Sequence, residues 1–145
     1  MSENGIRLKP IKFAILDTSV YIENFRTGRF AFRILRSPLI IRCSSVVLHE
    51  LLRGAVTRVE HRFVTDLARR CRTLTPTESH WMQAADILGR LRGREHFDTA
   101  KIGELAFDVL IALSARSIGA TLITCNETGF QIIRRHLPFS LDCWK

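Results

Sequence analysis

Three acidic residues of this sequence stand at positions where a carboxylate needs a chemical reason. Asp17 comes directly after the apolar run 13–16, where a strand is predicted to end and a helix to begin. Glu50 lies in the first turns of a helix that follows another strand-like run, and Asp108 lies inside the apolar segment 104–113. A buried charge is costly unless it is paired, hydrogen-bonded or bound to a metal. Cation binding is therefore one chemistry that these acids could support together.

Each acid also has an ordinary structural explanation. Asp17, or Thr18 or Ser19 beside it, could cap the following helix. The helix dipole favours an acid such as Glu50 in a first turn, and Asp108 could form a buried salt bridge with one of the many arginines. These explanations must be invoked three times independently, whereas one metal ion explains all three acids. We therefore interpret Asp17 as the first ligand of a metal site.

Glu104 lies four residues before Asp108, so a helix would project both carboxylates from one face. Like charges so placed repel each other, and a bound cation would relieve that repulsion. Because a surface glutamate is usually solvated, we interpret Glu104 as a supporting residue at the solvated shoulder of the site.

Strand-like and helical segments alternate along the whole chain. Helices are predicted near residues 18–26, 30–35, 57–71, 80–92, 102–117 and 130–135, with a further helix from about residue 46; strands are predicted at 13–16, 39–43, 120–125 and 139–141. Residues 72–76 are predicted to be a short strand or extended link, and residues 93–98 a mobile loop. This alternation predicts an α/β fold with a parallel β-sheet flanked by helices. Ligands of such sheets bind at the carboxyl edge, where the loops after the strands converge.

Length and composition predict one globular domain over residues 1–145. Hydrophobic residues make up 46% of the chain, and Pro and Gly are sparse. No apolar run is long enough to cross a bilayer and the N-terminus is too polar for a signal peptide, which predicts a cytoplasmic protein with no membrane partner. The four cysteines have no CxxC spacing, so we expect them to be reduced and mostly buried.

The charge balance is strongly basic. The 22 Lys and Arg residues against 14 Asp and Glu residues give a net charge of +8, and most of the basic residues are arginines. Such an excess favours a polyanionic partner, with nucleic acid ahead of a membrane surface because no basic amphipathic anchor is evident. An arginine-rich proteome would give the same balance without a partner, so charge alone leaves both interpretations open.

Four segments, taken together and in order, resemble the PIN-domain family and, within it, the VapC-type toxin ribonucleases. They are residues 16–20 (LDTSV), 44–51 (SSVVLHEL), 108–112 (DVLIA) and 122–126 (LITCN). The resemblance spans almost the whole chain, and it implies a PIN-like fold whose acids gather at one edge of the sheet and hold divalent metal for cleaving RNA. It places Asp17, Glu50 and Asp108 at the first three acidic positions.

The fourth acidic position departs from the family pattern. The family usually has an Asp in a Thr-x-Asp or an Asn-x-x-Asp-Phe arrangement after the last core strand, and here Asn126 and Gly129 stand at those two places. Glu127 is the only carboxylate available, and its register is shifted. Either Glu127 reaches the metal with its longer side chain, or the site runs on three acids with Asn126 as a neutral ligand. This departure affects whether the site can hold two metal ions more than it affects the expected fold.

The resemblance also assigns roles to the acids. Asp17 and Asp108 are expected to bind the metal directly, and Glu50 to bind through a water or to orient the attacking water. Asn126 and Glu127 are auxiliary. Mg²⁺ suits these ligands because it takes hard oxygen donors and keeps several waters, and Mn²⁺ would suit the same oxygens.

Hydroxyl side chains flank the acids. Thr18, Ser19 and Thr124 could position the carboxylates by hydrogen bonds, although each equally fits a cap or a strand residue.

The function implied by the resemblance is that of a Mg-dependent endoribonuclease, the toxin of a VapBC-like pair, with a cognate antitoxin covering the acidic cleft and a homodimer as the assembly. The basic surface would hold the RNA backbone, with the loop 93–98 and its arginines as a contact. The altered fourth acid motivates an alternative, a PIN-like module that binds nucleic acid or protein with reduced or lost cleavage. A third hypothesis is an unrelated α/β domain whose acids are caps and salt bridges.

Overall fold

A parallel β-sheet of five strands forms the centre of the computed structural model, which describes residues 10–145. The strands are β1 (Phe13–Leu16), β2 (Ile40–Ser44), β3 (Thr73–Leu74), β4 (Thr121–Thr124) and β5 (Ser140–Cys143), in the spatial order β3-β2-β1-β4-β5. Each neighbouring pair is parallel. The α/β fold with a parallel sheet flanked by helices is therefore confirmed.

The strand order reverses between β1 and β4. From β1 the chain first builds outward through β2 and β3, and it later returns to add β4 and β5 on the other side. Ile15 of β1 pairs with both Arg42 of β2 and Leu122 of β4. In open α/β sheets, the crevice beyond the carboxyl ends of the strands at such a reversal is where ligands bind.

The helices begin and end at recognisable signals. They are α1 (Thr18–Thr27), α2 (Ala31–Leu35), α3 (Ser45–Gly54), α4 (Arg58–Arg70), α5 (Glu78–Arg94), α6 (Thr99–Ser117) and α7 (Thr128–Arg134). Gly28 ends α1 with a left-handed φ of 70°, a conformation that costs glycine little. Ser44 caps α3 through a hydrogen bond from the Val46 N–H, and Thr57 opens α4 with a capping box.

The apolar helix α6 is packed on several sides. It contacts α3, α5, α7 and strand β4, and residues 109–115 are all buried. Removing this much apolar surface from water is the main stabilising contribution to the core. The packing explains why the sequence of α6 lacks a clear polar face, and it holds Asp108 against the rest of the domain.

Three sequence-based expectations need correction. The loop predicted at 93–98 is wrong at its start, because α5 continues through Gly93 to Arg94 while Leu91 is fully buried. The helix predicted from about residue 102 begins at Thr99, because the Asp98 side chain caps it by accepting from the Lys101 N–H. The cysteines are free thiols, but only Cys43 is fully buried and the other three are half-buried.

Within residues 10–145, none of the helices has the length and apolar character that a bilayer crossing requires.

Candidate active site at the carboxyl edge of the sheet

Asp17 lies directly after β1 and begins α1. Its backbone is extended (φ −69°, ψ 160°), and its Oδ1 accepts a hydrogen bond of 2.7 Å from the Thr18 N–H. The residue is only 6% exposed. The capping explanation of Asp17 is thus correct for one of its two oxygens, and the second oxygen needs another account.

The second oxygen of Asp17 is held by two hydroxyl groups. Oδ2 accepts from Ser19 Oγ at 2.8 Å and from Thr124 Oγ1 at 2.9 Å. Thr124 is fully buried at the end of β4, and the Cys125 N–H donates to Ser19 Oγ at 3.2 Å. The end of the neighbouring strand therefore fixes the orientation of the Asp17 carboxylate.

Glu50 reaches the same place from α3. The Thr18 hydroxyl donates to its Oε1 at 2.9 Å, so one residue, Thr18, connects the two carboxylates. Glu50 is half-buried. Burial raises the pKa of the Glu50 carboxyl and the negative charge of Asp17 adds to the rise, while the Thr18 hydrogen bond opposes it.

Asp108 completes the cluster from α6. Burial, with a smaller contribution from the charges of Asp17 and Glu50, raises its pKa from 3.8 to about 7. Among residues 10–145, Asp108 forms no ion pair, so the predicted alternative of a buried salt bridge is not found with any arginine of that range. Asp17, Glu50 and Asp108 thus form one electrostatic unit, called here the acidic cluster.

The other candidate carboxylates lie apart from the acidic cluster. Glu104 is exposed and pairs with Lys101 at 3.6 Å. Glu127 is half-buried at the start of α7, where its Oε2 accepts from Gln131 Nε2 at 3.4 Å. Its charge acts on Cys143 and is not among the causes of the raised pKa of Asp108.

Asn126 is exposed, and its backbone rather than its side chain is bound to the site. Its N–H donates to Thr124 Oγ1 at 3.0 Å, and its carbonyl oxygen lies 3.3 Å from the same hydroxyl. Asn126 therefore helps to hold the threonine that orients Asp17.

Position 129 directly adjoins the acidic cluster. A Cβ atom added to Gly129 would lie 3.2 Å from Asp108 Oδ2 and 3.2 Å from Leu105 Cδ2. The Asn-x-x-Asp-Phe pattern would place an acid here, and this chain has no side chain at that point. The spacing from Asn126 to Phe130 marks position 129 in the sequence, but only the structure shows that a side chain at this position would contact Asp108.

The donor chemistry of the acidic cluster fits a hard divalent cation. Its carboxylate oxygens are the ligands that Mg²⁺ and Mn²⁺ prefer, and such a cation would relieve the repulsion that, together with burial, raises the pKa of Asp108. In residues 10–145, however, no three His, Cys, Asp or Glu side chains are drawn together as closely as the ligands of a bound metal. Binding of one cation by all three acids would therefore require their side chains to move closer together.

An apolar groove adjoins Glu50 on the side of α1 and α4. Its cavity volume is about 190 Å³, and its lining includes Tyr21, Ile22, Phe25, Leu51, Phe63, Val64 and Glu50. Phe25 is partly exposed, and its ring lies 5.1 Å from the ring of Phe63 at an interplanar angle of 43°.

Comparison with known proteins gives one family and a group of similar structures. The family model of the PIN domain matches residues 14–135. No curated protein sequence matches the chain significantly. VapBC2 from Rickettsia felis, solved bound to a promoter DNA fragment, is 20% identical with a TM-score of 0.68, over 92% of this chain and 99% of that chain.

Two further structures are similar to the same extent. VapBC-1 from nontypeable Haemophilus influenzae is 23% identical with a TM-score of 0.68, over 91% of this chain and 98% of that chain. DNA-bound VapBC from Salmonella typhimurium is 20% identical with a TM-score of 0.66, over 93% of this chain and 100% of that chain. At these identities the similarity establishes the fold.

Proposed function

The chain belongs to the PIN-domain family, and on that premise we propose that it is a Mg²⁺-dependent endoribonuclease and the toxin of a VapBC-like toxin–antitoxin pair. The observation that carries the proposal is the acidic cluster. The carboxylates of Asp17 at the N-cap of α1, Glu50 of α3 and Asp108 of α6 influence one another electrostatically beyond the end of β1, where the strand order reverses, and two of them have raised pKa values. Hydrolysis of a phosphodiester needs compensation of the transition-state charge and an activated water.

Each residue of the acidic cluster has a distinct part in this proposal. A divalent cation, Mg²⁺ or Mn²⁺, when bound would neutralise charge on the phosphoryl group and supply a water of lowered pKa. Asp17 and Asp108 would hold it directly. Glu50, which is half-buried beside Thr18, would orient the attacking water or accept its proton, and a raised pKa brings this carboxylate closer to the pKa that suits a general base.

The hydroxyl residues keep the acids in place. Ser19 and Thr124 both donate to Asp17 Oδ2 and the Thr18 N–H donates to Oδ1, so one lone pair of Oδ1 stays available to a cation. Thr18 would hold Glu50 at a fixed distance from Asp17. Neither Glu127 nor Glu104 contributes a carboxylate to the cluster, which favours a site built on three acids.

The basic charge supports RNA as the substrate. The net charge is +8, and several of the 14 acidic residues lie in the cleft, so the rest of the surface is still more basic. The resulting basic surface would attract the phosphate backbone, and binding should weaken steeply with salt. Arg94 at the end of α5 and the connector that follows remain a candidate contact, with Glu95 fixed by Arg135 at 2.8 Å.

An antitoxin partner is supported by the similar structures and by the apolar groove. Those structures are of VapBC proteins, and in this chain the groove is lined in part by Glu50. A partner segment in the groove would lie beside the acidic cluster and block it. Exposed apolar side chains, among them Leu52, Val56 and Trp81, would support a homodimer.

RNA cleavage by the purified protein tests the proposal. We expect the wild type to cleave RNA with Mg²⁺ and not with EDTA, and Asp17→Asn to lose cleavage while keeping the cap on α1, because its amide oxygen still accepts from Thr18. Glu104→Gln is the matched control, since Glu104 is exposed and outside the cluster. Equal cleavage by the wild type and Asp17→Asn would contradict the assigned site.

The altered fourth position favours one second candidate, a module that binds RNA with reduced or lost cleavage. Salt-dependent RNA binding by the wild type without cleavage of any RNA in the presence of Mg²⁺ would support that function instead. Binding that is insensitive to salt would contradict both.

A further inference from the structure

Cys43 and Cys71 form a thiol pair away from the acidic cluster. Cys43 lies on β2 and is 2% exposed, whereas Cys71 ends α4 and is half-buried. The two thiols are close enough for a hydrogen bond between the side chains. Neither residue has a part in the nuclease function proposed above.

The backbone holds the pair together. The Cys43 N–H donates to the Arg72 carbonyl oxygen at 2.9 Å, which joins β2 to the residue directly after Cys71. The Cys71 N–H donates to the Leu67 carbonyl oxygen at 3.0 Å and so fixes the end of α4. The Tyr21 hydroxyl lies 3.9 Å from Cys43 Sγ on the buried side. The thiols therefore meet through long-range sheet pairing.

The environments of the two thiols shift their pKa values in opposite directions. The hydrogen bond with Cys43 lowers the pKa of Cys71 below its usual range, and the Arg42 guanidinium lowers it further. The hydrogen bond with Cys71 and burial raise the pKa of Cys43. Cys71 is thus the more accessible thiol and the one that loses its proton more readily, and Cys43 is a thiol shielded from solvent.

We propose that Cys43 and Cys71 form a reversible disulfide on reaction with a peroxide, with Cys71 as the reacting thiol and Cys43 as the resolving thiol. The Cys71 thiolate attacks one peroxide oxygen, the O–O bond breaks, and the sulfur is oxidised to a sulfenic acid as the peroxide is reduced to hydroxide, which takes up a proton to give water. The Cys43 thiol then attacks the Cys71 sulfur. The S–S bond forms, the S–O bond breaks, and a second water leaves with the thiol proton.

The disulfide would tie the end of α4 to β2. Phe63 and Val64 of α4 and Tyr21 of α1 line the apolar groove, so the bond would restrain one wall of that groove. A cross-link between distant parts of the chain also restricts the unfolded state. Oxidation is therefore expected to raise the thermal unfolding temperature by several degrees.

Peptide mapping of the full chain tests the proposal. The reduced protein is treated with hydrogen peroxide, free thiols are alkylated, and the digest is analysed without reductant. The expected product is a peptide pair joined through residues 43 and 71, an intact mass lower by two hydrogens, and reversal by dithiothreitol. The Cys125→Ser/Cys143→Ser variant retains both thiols of the pair and should give the same product.

Alkylation rates supply an independent measurement. At neutral pH we expect iodoacetamide to modify Cys71 about tenfold faster than Cys125 in the folded protein, and urea to abolish the difference. In Cys43→Ala the Cys71 sulfenic acid should persist and be trapped by dimedone. Oxidation of wild-type Cys71 to a sulfinic acid without a linked peptide, or equal linkage in the urea-unfolded chain, would overturn the proposal.

Discussion

Replacing Asp108 with Asn should stabilise the metal-free protein at neutral and higher pH. Asp108→Asn preserves the size of the side chain and removes a charge that burial, Asp17 and Glu50 all disfavour. The folded-state pKa is raised from 3.8 to about 7, so the stability linked to the protonated carboxyl is full below about pH 4. That stability is lost as the pH rises towards 7. The amide of the variant does not titrate and avoids this loss.

The expected gain in the free energy of unfolding follows from the size of the pKa shift of Asp108. A change from 3.8 to about 7 is roughly three units, and each unit corresponds to about 1.4 kcal/mol, giving an upper value of about 4 kcal/mol at pH 8. Relaxation and water entry reduce such values in practice, so we expect a gain of about 1–4 kcal/mol. At pH 4 the two proteins should differ little.

Urea unfolding in EDTA, followed by the fluorescence of Trp81 and Trp144, measures the free energy of unfolding across this pH range. Glu104→Gln, on the same helix but exposed, is the matched control and should show no such gain. Adding Mg²⁺ should stabilise the wild type and not Asp108→Asn. An Asp108→Asn protein that is equally or less stable than the wild type at pH 8 would refute the electrostatic argument for the acidic cluster.

Two further predictions concern the residues around the cluster. Thr124→Val removes the 2.9 Å hydrogen bond to Asp17 Oδ2, so RNA cleavage should fall by about tenfold, corresponding to about 1.4 kcal/mol; a rate within twofold of the wild type would show that Ser19 alone orients Asp17. Gly129→Asp places a Cβ 3.2 Å from Asp108 Oδ2 and adds a like charge, so the unfolding temperature should fall in EDTA and recover more with Mg²⁺ than that of the wild type in thermal scans. An unchanged response to Mg²⁺ would separate position 129 from metal binding.

The local sequence determined most of the secondary structure. The glycine at position 28, the serine at 44 and the threonines at 57 and 77 begin or end helices through interactions with residues at most four positions away. Such short-range interactions can be recognised in a sequence without knowing the fold. The errors at Gly93 and Asp98 arose where burial extended one helix and a side-chain cap began another earlier than the apolar pattern indicated.

The sequence also identified three acids at unusual positions, but only the tertiary structure decided how they relate. Whether Asp17 was a cap or a ligand could not be resolved locally, and the structure shows one oxygen capping α1 while the other is held by Thr124 from β4. The raised pKa of Asp108 depends first on burial and then on the charges of Asp17 and Glu50, and both causes come from residues far away along the chain. These relations come from parallel pairing of β1 with β4 and from the packing of α6.

The remaining acids and the thiol pair show the same division. Glu104 and Glu127 are glutamates like Glu50, but their side chains bind Lys101 and Gln131 instead of joining the acidic cluster. The direction of each side chain depends on the rotation of its helix, which tertiary packing sets. Cys43 and Cys71 have no motif spacing and meet only because β2 pairs with β3. The sequence therefore determined which residues could do chemistry, and the long-range packing of the sheet and its helices decided which of them act together.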